Sequence, residues 1–165
     1  MQTQEGGGYA VKAVSRFAFQ LGAKIALNMD FVVEKGGRYF LLNETLRRTV
    51  RKNFYYAGIY LGKVKNGKFF PSFNLLSILA KGEANKIVVE KKAAWLFICG
   101  RDVFRKGVVA VRCSRTKGAH MLVLNDFGEC LGFGRVVGSL DEAKKNEVVV
   151  RNISDIGDFL RRESS

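Results

Sequence analysis

The stretch Met121-Leu122-Val123-Leu124-Asn125-Asp126-Phe127-Gly128-Glu129-Cys130-Leu131-Gly132-Phe133-Gly134-Arg135-Val136-Val137 decides how this chain is read. Met121 to Leu124 is apolar and has the length of a buried strand. Asn125-Asp126-Phe127-Gly128 supplies turn formers, and Glu129 to Val137 resumes as a second strand. Gly132-Phe133-Gly134, with Gly138, falls short of the G-x-G-x-x-G phosphate fingerprint, because it lies within a strand and not before a helix. Glycines in that position instead suit close packing of a barrel strand.

Moving outward, Val108 to Cys113 and Val148-Val149-Val150 are further strands. The apolar run Ala94 to Cys99 is also read as a strand, followed by Gly100-Arg101-Asp102, a short helical turn and Gly107. Ser154 is expected to open a final helix, with Asp155 and Asp158 early and Arg161 and Arg162 late, the order the helix dipole favours. Several short strands separated by turns predict a small barrel. Toward the N-terminus, helix and strand alternate. Ala10, Ala13, Val14, Phe17, Ala18 and Leu21 fall on one helix face, with Gly22 as its end. Phe31 to Val33 and Tyr39 to Leu42 are strand-like around Gly36-Gly37. Asn43 is placed to cap a helix running to about Asn53, with Leu46, Val50 and Phe54 on its buried side. Ile59 to Val64 is a strand, and Asn66-Gly67 is a type I′ hairpin signal. Pro71 fits the first turn of a helix from Ser72 to Lys81, which Gly82 closes. The expected fold class is α+β in two domains: residues 1–90 with a mostly antiparallel sheet, and residues 91–165 as a β-pseudobarrel with a terminal helix. The boundary falls near Lys86 to Lys92.

Charge points to the class of partner. The chain has 165 residues, 28 Lys and Arg, 15 Asp and Glu, a net charge of +13 and a pI near 9.9. Residues 1–90 carry +8 and residues 91–165 carry +5, so neither half is a neutral domain with a basic tail. With 47% hydrophobic residues the chain can bury a core, which excludes a disordered polycation. No apolar run reaches the length of a membrane span, and Met1 to Gly8 has no signal-peptide pattern. Three scattered cysteines without C-x-x-C spacing make no disulfide frame. The expectation is a cytoplasmic protein with no membrane association that meets nucleic acid.

No catalytic constellation emerges. His120 is the lone histidine, and a satisfied or surface role suits it better than a triad. Cys99, Cys113 and Cys130 fall on three predicted strands without paired spacing, so no metal site is expected. Ser139, Asp141 and Glu142 read as a capping box. No cofactor is expected. Arg47, Arg48, Arg51 and Lys52 would cover roughly 140° of a helix surface, beside the apolar arc. They are either a phosphate-binding face or an ordinary solvated one. Thirteen Phe and five Tyr offer stacking rings, including Tyr55-Tyr56 and Phe69-Phe70. Alternation would turn one of each pair outward if the pair lay in a strand.

Phe97-Ile98-Cys99-Gly100-Arg101-Asp102-Val103, Val123 to Glu129 and Leu131-Gly132-Phe133-Gly134 together resemble the PUA domain. This small RNA-binding pseudobarrel occurs in pseudouridine synthases, archaeosine transglycosylases and ribosome-assembly factors. The ending Asp155-Ile156-Gly157-Asp158-Phe159-Leu160-Arg161-Arg162-Glu163 resembles the Nip-seven family of large-subunit ribosome-biogenesis factors, in its archaeal form. Ala57 to Lys63 and Lys68-Phe69-Phe70-Pro71-Ser72 echo further motifs of that family. The resemblance implies a non-enzymatic RNA-binding factor in rRNA maturation and large-subunit assembly. Its partners would be pre-rRNA and assembly or processing proteins such as the exosome.

By the same resemblance, RNA is contacted by Arg101, in the loop after the first strand, and by Arg151, before the last helix. A family Lys is Ser154 here and an upstream basic pair is Glu147-Val148, which turns attention to Lys144 and Lys145. Arg161 and Arg162 are candidates too, with helix C-terminal charge as their plainer role. The alternative function is a PUA accessory or targeting subunit of an RNA-modifying enzyme. A weaker third reading is a translation-initiation PUA protein.

Overall fold

The computed structural model describes residues 6–24, 27–50, 53–112 and 114–163. Helix α1 (Gly6–Gln20) buries Val14, Phe17 and Ala18, and Leu21 just beyond it, at the three- and four-residue spacing read from the sequence. A 3₁₀ turn at Met29–Phe31 leads into β1 (Val32–Lys35), β2 (Arg38–Leu41), α2 (Glu44–Thr49), β3 (Ile59–Lys65), β4 (Lys68–Pro71) and α3 (Phe73–Lys81). The four strands form an antiparallel sheet in sequence order. Asn66 and Gly67 both take positive φ (51° and 71°) and join β3 to β4 in the expected tight hairpin.

The second half contains β5 (Lys86–Val89), α4 (Lys91–Ile98), β6 (Val103–Phe104), β7 (Val108–Arg112), β8 (His120–Leu124), β9 (Cys130–Val136), β10 (Val148–Asp155) and α5 (Ile156–Glu163). Its six strands run in the order β6-β10-β9-β8-β5-β7 and curl into a half-barrel, antiparallel except where β5 lies parallel to β8. The chain is thus α+β, with an antiparallel sheet, a barrel-like sheet and a terminal helix, as expected. No described helix is long and apolar enough to cross a membrane.

Strand β8 shows why the sheets are joined. Leu122 and Leu124 face a core shared with α1 and α3, while Met121 and Val123 face the interior of the half-barrel. The shared core also takes Phe133 and Cys130 from β9, and the Phe17 and Phe133 rings meet edge to face at 5.3 Å. A third cluster, on the far side of the first sheet, gathers Phe40, Leu42 and Ala57 under Leu46, Val50, Phe54 and Tyr60.

Four expectations are corrected. Ala94 to Cys99 belongs to α4, not to a strand, and Cys99 is its C-cap. The helix starts at Lys91, and its alanines favour helix. It buries Phe97 while Trp95 stays 65% exposed, a one-sided pattern that a strand buried on both faces would not give. Helix α2 stops at Thr49, well short of Asn53. Val50 turns extended (ψ 116°), and the Thr49 hydroxyl donates to the Thr45 carbonyl at 2.7 Å. Pro71 closes β4 opposite Gly62, and Ser72 caps α3 by accepting from the Leu75 N–H. Strand β10 runs on through Ser154, and it is Asp155 that caps α5, accepting from the Asp158 N–H at 2.9 Å.

Gly132 and Gly134 confirm the packing role. An added Cβ at Gly132 would lie 2.1 Å from the Ser154 carbonyl oxygen, and one at Gly134 2.5 Å from that of Arg151. The twin glycines let β9 press against the irregular stretch of β10.

Candidate nucleic-acid interface

Three strands bring three nitrogen-bearing side chains into one row. His120 on β8 is the register partner of Arg135 on β9, and Arg135 is the partner of Arg151 on β10. Alternation along β9 puts Arg135 on the same face as Phe133, so the row lies at the solvent end of the shared core. Directly opposed side chains in an antiparallel pair have Cβ atoms about 5 Å apart, and like charges there repel.

The row forms one wall of a cleft of about 600 Å³. Helix α1 supplies Arg16, Phe17 and Gln20, and the β3–β4 hairpin supplies Gly67, Lys68 and Phe69. Among the described residues, no carboxylate lines the cleft and no ion pair involves Arg16, Lys68, Arg135 or Arg151. Burial, and then the neighbouring Arg135, hold the His120 imidazole below its usual pKa, so it is neutral near pH 7. Its ring lies 6.5 Å from that of Phe133. The arrangement suits an anion: guanidinium groups offer paired donors to phosphate oxygens, and the neutral imidazole adds a donor or an acceptor without further charge.

Comparison with known proteins agrees with this setting. Residues 85–164 match the family described as the UPF0113 PUA domain. The second half of the chain is similar to the UPF0113 PUA domain. A UPF0113 protein of the archaeon Archaeoglobus fulgidus is 31% identical over 116 residues, 68% of this chain and 66% of that protein, just under two thirds of its length. Two solved structures share the fold along nearly the whole chain. A hypothetical protein of Pyrococcus horikoshii OT3 has a TM-score of 0.63 at 18% identity, covering 96% of both chains. A conserved PUA domain protein of Thermoplasma acidophilum has a TM-score of 0.59 at 21% identity, covering 93% of this chain and 95% of its own. The PUA domain is an RNA-binding fold. Here its strands β8, β9 and β10 build the charged wall of the cleft.

The residues expected from the sequence are not gathered in one place. Arg151 lines the cleft. Arg101 is exposed beyond the C-terminus of α4, after Gly100 in its positive-φ turn, with its own N–H donating to the Leu96 carbonyl. Lys144 and Lys145 lie in the β9–β10 connection; Lys145 lines a separate hollow with Arg105, Lys106 and Asp141. Arg161 and Arg162 fall in α5, and their side chains lie outside the described residues. Arg47 and Arg48 are exposed on α2, where Arg48 pairs with Glu44 and Arg47 sits over the Phe31 ring at 5.3 Å. Arg51 and Lys52 lie outside the described residues, beyond the end of the helix expected to carry them.

Arg16, Lys68, His120 and Arg135 are brought in by the fold. Alternation could have placed Arg135 on the Phe133 face, but only the strand register sets it beside Arg151. Of the cysteines, Cys99 is exposed and Cys130 is buried, its thiol pushed up to about 11 by burial; Cys113 lies outside the described residues.

Proposed function

We propose that this protein is a non-catalytic RNA-binding factor of rRNA maturation and large-subunit assembly, and that it holds the phosphate backbone in the cleft between α1, the β3–β4 hairpin and the PUA strands. The observation that carries the reading is the opposed pair Arg135 and Arg151, set with Arg16 and Lys68 in a cleft that, among the described residues, no carboxylate lines. Mutual repulsion of those cations is relieved by a polyanion, and each phosphate contact adds a salt-dependent contribution to affinity. In this reading the factor works in the cytoplasm on pre-rRNA, beside assembly or processing proteins such as the exosome.

The test is binding of pre-rRNA fragments at low salt. Arg135→Glu with Arg151→Glu should weaken binding roughly ten- to a hundredfold, whereas Lys144→Glu with Lys145→Glu should change it less. Equal losses from both pairs would point to diffuse charge and away from the cleft. Crosslinking in cells should place the protein on large-subunit rRNA. Modified nucleosides produced by the purified protein alone would contradict the non-catalytic reading.

A further inference from the structure

On the first sheet, the face opposite the shared core carries a second basic surface, set with exposed rings. Lys35, Arg38, Lys63 and Phe70 are successive register partners across β1, β2, β3 and β4. The one acid on those strands, Glu34, pairs with Tyr39, whose ring belongs to the shared core, and so lies on the other face. Above the row, the segment between α2 and β3 presents Tyr55 at 82% exposure and Tyr56 at 59%. Arg38 holds its guanidinium 5.6 Å from the centre of the Tyr55 ring, and Tyr56 stands edge-on to buried Phe40 at 5.2 Å. The rings are therefore anchored from below, while most of their surface stays in water.

Exposed aromatic rings beside cations are the two parts of a single-strand binding surface: bases stack on the rings and phosphates follow the cations. Duplex RNA keeps its bases stacked inside and has no use for the rings. We propose that Tyr55 and Tyr56, with Arg38 and Lys63, form a stacking platform for single-stranded RNA, separate from the cleft and on the opposite face of the first sheet.

The experiment uses the full-length chain and two labelled probes, an oligouridylate single strand and an RNA duplex of mixed sequence. Tyr55→Ala with Tyr56→Ala should weaken oligouridylate binding roughly five- to a hundredfold and leave duplex binding within about twofold. Tyr55→Phe with Tyr56→Phe should restore it, because stacking needs the ring and not the hydroxyl. Arg38→Gln with Lys63→Gln should lower the salt dependence, which the alanine pair leaves unchanged. Should the alanine pair fold poorly, Tyr55→Ala alone decides, since that ring lies largely in water. The same ring effect should persist in a chain carrying Arg135→Glu and Arg151→Glu, so the platform and the cleft stand or fall separately. Unchanged oligouridylate affinity in the alanine variant, or an equal loss on duplex, overturns the proposal; the first result would leave the rings to a protein partner.

Discussion

Gly132 is the point where β9 and β10 meet backbone to backbone. A methyl group there would fall 2.1 Å from the Ser154 oxygen and 2.8 Å from Asp155 Cα, at a φ of +147° that L residues avoid. Neither neighbour can swing aside, since both are main chain. Gly132→Ala should therefore cost about 3 kcal/mol or more in urea unfolding. Gly128→Ala, with open space around it, should show only the strain of its positive φ, about 1 kcal/mol. A single side chain does comparable work nearby. Asn152 donates to the carbonyls of Phe97 and Arg101 through its Nδ2, while its backbone N–H donates to Asp102. It ties the end of α4 to β10. Asn152→Ala should lower stability by about 1–3 kcal/mol, and the loosened turn should show as faster amide exchange around Gly100. The glycines were legible as packing residues because a strand interior gives glycine few other uses. Asn152 was not, because the partners it ties to β10, Phe97, Arg101 and Asp102, lie about fifty residues away along the chain.

Among the elements, those with strong local chemistry were readable from the sequence. The Asn66-Gly67 hairpin, the Gly82 end of α3 and the α1 face all follow from adjacent residues. Element type differs from expectation at a short apolar segment, α4, where helix and strand share one pattern and tertiary packing chooses between them; the other differences are element ends. Helix α4 occupies the run expected as a strand, while the strand lies upstream at Lys86–Val89, inserted between β7 and β8. The candidate cleft was legible only through Arg151, because register cannot be read from one strand at a time. The row offers a built-in reporter in His120. Its pKa lies below the ordinary value, so the unfolded chain binds a proton more readily than the folded one. The contribution is thus fully present above the unfolded pKa, about 6.5, and is lost as pH falls through the folded value. His120→Gln should flatten the decline of stability on acidification below that pH. Phosphate bound beside the imidazole favours its charged form, so saturating RNA should move the single-histidine NMR titration upward. A midpoint that stays fixed while RNA is bound would place the RNA elsewhere.

For the molecule as a whole, the shared core makes the two sheets interdependent. Leu122, Leu124 and Phe133 of the PUA strands are buried against Phe17, Leu21, Leu75 and Leu76. Phe133→Ala should cost about 3–5 kcal/mol and lower the protection of α1 amides as well as β9 amides, with a single thermal transition retained. A fragment beginning at residue 85 should bind hydrophobic dyes and self-associate. A monomeric fragment with its own sharp transition would show the halves to be independent. Synthesis gives this arrangement a further consequence. Helices α1 and α3 leave the translating ribosome well before β8 and β9, which complete the surface they pack on. At about 5–20 residues per second, the roughly fifty residues from Leu79 to Phe133 take about 3–10 s, during which that apolar surface waits uncovered. The nascent chain thus passes through a window in which a holding chaperone, or an unwanted neighbour, can reach it.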